Sequence, residues 1–138
     1  MNHFLRLTCL FALITAWTWS AETTGQWLKA ELAVIDVTVT TDKGEQTYFY
    51  LNSRGDATVR LGDKEKKGAI KIAKDKSVIP FVDYIYQLPN EKASETKNSA
   101  HIQRRIGDQI ERFIVYYKSA EDAKTLLTHI DAVAKNIK

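Results

Sequence analysis
The sequence predicts a mainly β fold: a single small antiparallel, orthogonally packed barrel of about seven strands with one C-terminal amphipathic helix. Turn-forming clusters recur about every ten residues through most of the chain. Between them lie short runs rich in Val, Ile, Tyr, Phe and Thr, several of them alternating apolar and polar. Near the C-terminus that alternation gives way to helical spacing.

Residues 1–20 read as an address. Arg6 gives a weakly positive start, and residues 7–17 are apolar apart from Thr8 and Thr15. Thr18 at −3 and Ser20 at −1 suit small-residue cleavage, so the mature chain is expected to begin at Ala21. Polar Glu22 to Gly25 follows too soon for a membrane span of about 20 apolar residues. Cys9 opens the apolar run instead of closing it, so no lipoprotein anchor is expected.

Residues 25–41 read as one long strand whose phase slips. Leu28, Ala30, Leu32 and Val34 alternate with charged neighbours, then Ile35, Val37 and Val39 take over. A period of two that slips by one residue is the mark of a β-bulge, and it suits a strand passing between packed sheets. After the turn at residues 41–45 comes an aromatic strand, 46–51, then the turn Asn52-Ser53-Arg54-Gly55-Asp56. Ala57, Val59 and Leu61 alternate as a third strand. Residues 62–68 read as a charged loop, Ile70 and Ile72 as a short strand, and 78–88 as a long apolar strand whose first half Pro80 demotes to an edge or bulge.

Residues 89–99 hold no large apolar side chain and read as a loop. Residues 102–106 and 110–117 then form a hairpin about Gly107-Asp108. Ser119 offers an N-cap, with Glu121 and Asp122 in the first turn of a helix over 120–137. Ala123, Leu126, Leu127, Ile130, Val133, Ala134 and Ile137 make its apolar stripe.

Removing the first 20 of 138 residues leaves 118, one domain with one core. Cys9 is the only cysteine, so residues 21–138 can form no disulfide, thiolate metal site or cysteine nucleophile. They also lack an Asn-x-Ser/Thr acceptor. An exported, disulfide-free, sequon-free domain is expected in a bacterial periplasm or secreted, which sets nucleic acid aside as a partner. The formal charge, +3 for the whole chain, bears on solubility alone.

Strands closed by one amphipathic helix resemble the pleckstrin-homology-like barrel, most evidently over residues 102–137: a hairpin, Phe113-Ile-Val-Tyr-Tyr-Lys-Ser, then the acid-capped helix. The signalling members carry a tryptophan near the position of Leu126, absent here. Their phosphoinositide binding conflicts with export and is not carried over. Gly25-Gln26-Trp27 is similar to the Gly-x-Trp that opens lipocalin-like barrels, which implies, as an alternative, a carrier of a small apolar ligand.

Little catalytic chemistry is apparent. His101 and His129 have no ligand spacing between them, and no Gly-x-Ser-x-Gly elbow occurs. No catalytic residue, metal site or cofactor is therefore expected. Asp36 and Asp83 sit among apolar neighbours and are expected on the outer face of their strands. Residues 60–76 carry seven cations against three acids, Lys66, Lys67 and Lys71 among them. On an exposed edge these could touch anionic surfaces, although lysines on an edge chiefly discourage aggregation. Arg54-Gly55-Asp56 is read as turn chemistry.

The tyrosines are the better binding candidates. Tyr48 and Tyr50 share one strand face, and Tyr84 and Tyr86 share another. Facing outward, the pairs would make an aromatic surface for a protein or apolar ligand; facing inward, they would be core. The sequence thus predicts a non-enzymatic extracytoplasmic binding module. Its partner is expected to be an envelope protein or a small apolar ligand, with no stable membrane span.

Overall fold
A computed structural model describes residues 22–138, so the expected cleavable segment 1–20 lies outside the described residues. Helix α1 covers residues 22–29. Strands β1 (Ala33–Thr40), β2 (Gln46–Asn52), β3 (Asp56–Leu61) and β4 (Lys64–Ala69) follow as a meander. Helix α2 (Val78–Gln87) then leads to the hairpin β5 (Asn98–Ile106) and β6 (Gln109–Tyr117), and helix α3 (Lys124–Ala134) closes the order.

The protein is mainly β: six antiparallel strands form one sheet in the order β4-β3-β2-β1-β5-β6. This corrects the expected barrel. The sheet is not closed, β4 and β6 being its two edges. Among the described residues three helices, not one, cover one of its faces. No helix among the described residues is long and apolar enough to cross a membrane.

Two expected strands are helices for the same reason. Val78, Phe81, Val82 and Ile85 are all fully buried, and their spacing of three, one and three is one helical stripe. Pro80 is tolerated because it sits in the first turn, where its missing N–H would have no intrahelical acceptor. In α1 the buried residues Thr24 and Trp27 are three apart, so the slip read as a bulge is the passage from a helix to β1. Thr24 Oγ1 donates to Asp83, tying α1 to α2.

Residues 62–68 are likewise not a loop. Gly62-Asp63 turns the chain from Leu61 to its partner Lys64, and Gly107-Asp108 does the same between Ile106 and Gln109. Both glycines have positive φ, 59° and 58°, whereas no non-glycine residue among the described residues does, the pattern of a type II′ hairpin turn.

The core lies between the sheet and the helices. One row on the covered face runs Val59–Phe49–Val37–Ile102–Phe113 across five strands. Phe81 of α2 meets Phe49 edge to face at 5.2 Å. Leu126, Ile130 and Val133 bring α3 onto the same layer, as its stripe predicts, although the helix is shorter than 120–137. Each large apolar side chain so buried contributes roughly 1.5–3 kcal/mol.

Candidate binding face
Side chains alternate across a strand, so the residues beside the core row point the other way. With all helices of the described residues on one face, the opposite face is left open by them, as antiparallel sheets allow. Two adjacent rows define it. One runs Arg60–Tyr48–Thr38–His101–Ile114, the other Lys67–Thr58–Tyr50–Asp36–Gln103–Arg112.

At its centre Tyr48 donates its hydroxyl to Asp36 Oδ2 at 3.0 Å. Burial raises the Asp36 carboxyl above its ordinary value, and the hydrogen bond from Tyr48 partly offsets this. The Tyr48 phenol is pushed up to about 12, first by burial and then by the neighbouring Asp36 charge and hydrogen bond. The Arg60 guanidinium lies 5.1 Å from the centre of the Tyr48 ring. On the other flank Arg112 Nε donates to Gln103 Oε1 at 2.9 Å.

Two hollows flank this centre and share Thr38. The first, about 530 Å³, is lined by Tyr48, Arg60 and the β1–β2 and β3–β4 turns. The second, about 410 Å³, brings Asp36, His101, Gln103 and Arg112 together. The Tyr48 ring and the Arg60 guanidinium thus border one hollow, and the half-buried Asp36 and the Arg112 guanidinium border the other.

Tyr48 and Tyr50 therefore share the uncovered face, the outward alternative of the two considered. Tyr84 and Tyr86 do not share a face, because they are two residues apart on a helix. Tyr84 stacks on His129 at 4.7 Å, and Tyr86 lies beside Arg104, 5.3 Å from ring centre to guanidinium. Burial pushes the Tyr86 phenol up to about 12, against the opposing effect of Arg104. Asp36 is outward as expected, whereas Asp83 is on α2.

Lys66 and Lys67 project from opposite faces of β4, since they pair with Val59 and Thr58. Lys71 lies beyond the strand and lines a separate hollow with Lys74, Asp75 and Asn136. The three lysines are not one patch. Arg54-Gly55-Asp56 is a turn, organised by Asn52 Oδ1, which accepts the N–H groups of Arg54 and Asp56 at 3.0 Å each.

Gln103 and Arg112 were not singled out from sequence. They are in phase with His101 and Ile114 on strands that were recognised, so the alternation itself carries the signal. Among the described residues, no three His, Cys, Asp or Glu side chains are grouped to hold a metal ion. No protein-family model matches the chain, and neither does any curated protein.

Proposed function
We propose that the protein is a non-enzymatic, extracytoplasmic binding module that engages a partner protein of the cell envelope through its uncovered sheet face. One observation carries the reading: Tyr48, Tyr50, Arg60 and Arg112 share a sheet face that no helix among the described residues covers. Tyrosine and arginine are, with tryptophan, the side chains enriched at the energetic centres of protein interfaces. Here the hydrogen bonds to Asp36 and Gln103 already hold Tyr48 and Arg112, which lowers the ordering entropy lost on binding.

A carrier of a small apolar molecule is less favoured, because Phe49, Phe81, Ile85 and Leu126 occupy the layer between sheet and helices. Lys66 and Lys67 act in this reading as guards of the β4 edge.

A photoreactive side chain placed at position 58, beside Tyr50 on the open face, is expected to yield a defined crosslinked adduct in intact envelopes. The same probe at exposed position 128 on α3 should yield none. Tyr50→Ser and Arg60→Glu should each reduce the adduct at least tenfold. Equal labelling from both positions, or an adduct indifferent to both substitutions, would overturn the proposal.

A further inference from the structure
We infer that β6 is an edge for strand addition, occupied by β6 of a second copy of this chain, so that two six-stranded sheets join into one about a two-fold axis. An edge strand exposes a row of unpaired N–H and C=O groups, and proteins usually protect it. The two edges here differ in that protection. β4 has six residues, with Lys64, Lys66 and Lys67 all exposed. Its end is already closed: Ala69 and Lys138 exchange backbone hydrogen bonds at 3.0 and 3.1 Å.

β6 has none of these devices. It runs nine residues, Gln109-Ile-Glu-Arg-Phe-Ile-Val-Tyr-Tyr117, without lysine or proline. Its register with β5 is one-to-one from Asn98↔Tyr117 to Ile106↔Gln109, so no bulge twists it away. The two-residue turn makes Ile106 and Gln109 a hydrogen-bonded pair. Alternate residues Ile110, Arg112, Ile114 and Tyr116 therefore direct their backbone groups to the free side. Ile110 is also 44% exposed, one of few large apolar side chains left so open.

The charge pattern selects the occupant. Two-fold pairing keeps both open faces on the same side and sets residues of equal parity opposite one another. Centred on Arg112 or Glu111, it would oppose like charges. Centred on Ile114, it sets Ile114 against its own copy, Arg112 against Tyr116, Glu111 against Tyr117 and Phe113 against Val115. Each arginine then meets an aromatic ring, and no like charges face each other. The lysine-bearing, partly closed β4 edge offers no comparable match, and β6-to-β4 addition would propagate as an open filament.

Sedimentation velocity on the purified chain, its N-terminus read by mass spectrometry, tests the pairing. A reversible species of twice the chain mass is expected. Ile114→Lys, which puts two ammonium groups at the axis, should raise its dissociation constant at least tenfold without altering the circular dichroism spectrum. Ile110→Lys, set against Lys118, is the second variant should Ile114→Lys misfold. Thr128→Lys, on the exposed side of α3 and away from both sheet edges, should leave the assembly unchanged. A chain that stays monomeric at all concentrations, or a dimer indifferent to both lysine variants, would overturn the inference.

Discussion
Arg104, on the covered face of β5, donates from Nη1 to the carbonyl oxygen of Ile85 at 2.7 Å. The same nitrogen reaches the carbonyl of Leu88 at 3.1 Å. Helix α2 has no basic residue in its last turn, so a strand supplies the cation that its orphan carbonyls attract. Phe113 lies 4.5 Å under the guanidinium, and Glu111 accepts from Nη2 at 2.9 Å.

Arg104→Met keeps much of the volume but leaves two carbonyls and Glu111 without their donor. Urea denaturation is expected to register a loss of about 2–4 kcal/mol. Arg104→Lys should recover only part of it, since an ammonium lacks the fork that spans these acceptors. Glu111→Gln should cost less than about 1 kcal/mol, because the Glu111 side chain is half exposed.

Asp36 makes stability depend on pH in a defined direction. Its folded-state pKa lies above the unfolded value near 3.8, so folding favours the protonated form. That contribution is fully present below the unfolded value and is lost as pH rises through the folded one. Asp36→Asn should therefore raise the melting temperature relative to wild type at pH 7 and bring no such gain at pH 3. Tyr48→Phe removes the donor that favours the carboxylate, and should move the inflection of the wild-type profile to higher pH.

Two glycine substitutions separate backbone conformation from steric space. Gly55 has φ +95°, and a Cβ there would stand 2.1 Å from the Ile70 carbonyl oxygen. Gly62 has φ +59° with open space around it. Gly55→Ala is expected to cost about 2–4 kcal/mol and Gly62→Ala about 1 kcal/mol, measured by chemical denaturation.

Trp27 reports on the docking of α1. It is fully buried, and Trp17 and Trp19 fall in the segment expected to be removed. The cleaved chain should emit at short wavelength and shift to the red on unfolding, together with the loss of circular dichroism. Trp27→Ala should destabilise by about 3–5 kcal/mol. A red shift preceding the main transition would mean that α1 detaches by itself.

Elements whose own pattern decides their state are legible in the sequence: β2, the β5–β6 hairpin and the stripe of α3. Those decided by neighbours are not. Residues 64–68, Lys-Glu-Lys-Lys-Gly, contain no apolar side chain, and they become a strand because Gly62-Asp63 folds them back on β3. Residues 78–88 are rich in β-branched and aromatic types, which favours a strand, yet their buried set has a helical period. The open sheet face is legible to the same extent. Parity alone puts Tyr48 and Tyr50 on one side of β2, whereas setting Asp36 beside them requires the β1–β2 register, and adding His101, Gln103 and Arg112 requires knowing that β1 pairs with β5.

That central position of β1 has a kinetic consequence. The meander β1–β4 and the hairpin β5–β6 can each form from contacts close in sequence, but Thr40 must wait for Ser99 before the two halves become one sheet. Closing so long a loop is the slow kind of step in folding, because chain entropy is lost before the pairing is gained. In the interval β1 is itself an edge, with fully buried Ile35, Val37 and Val39 among its future core residues. A chain whose synthesis has stopped before β5 is therefore at its most aggregation-prone through the strand that later lies furthest from solvent.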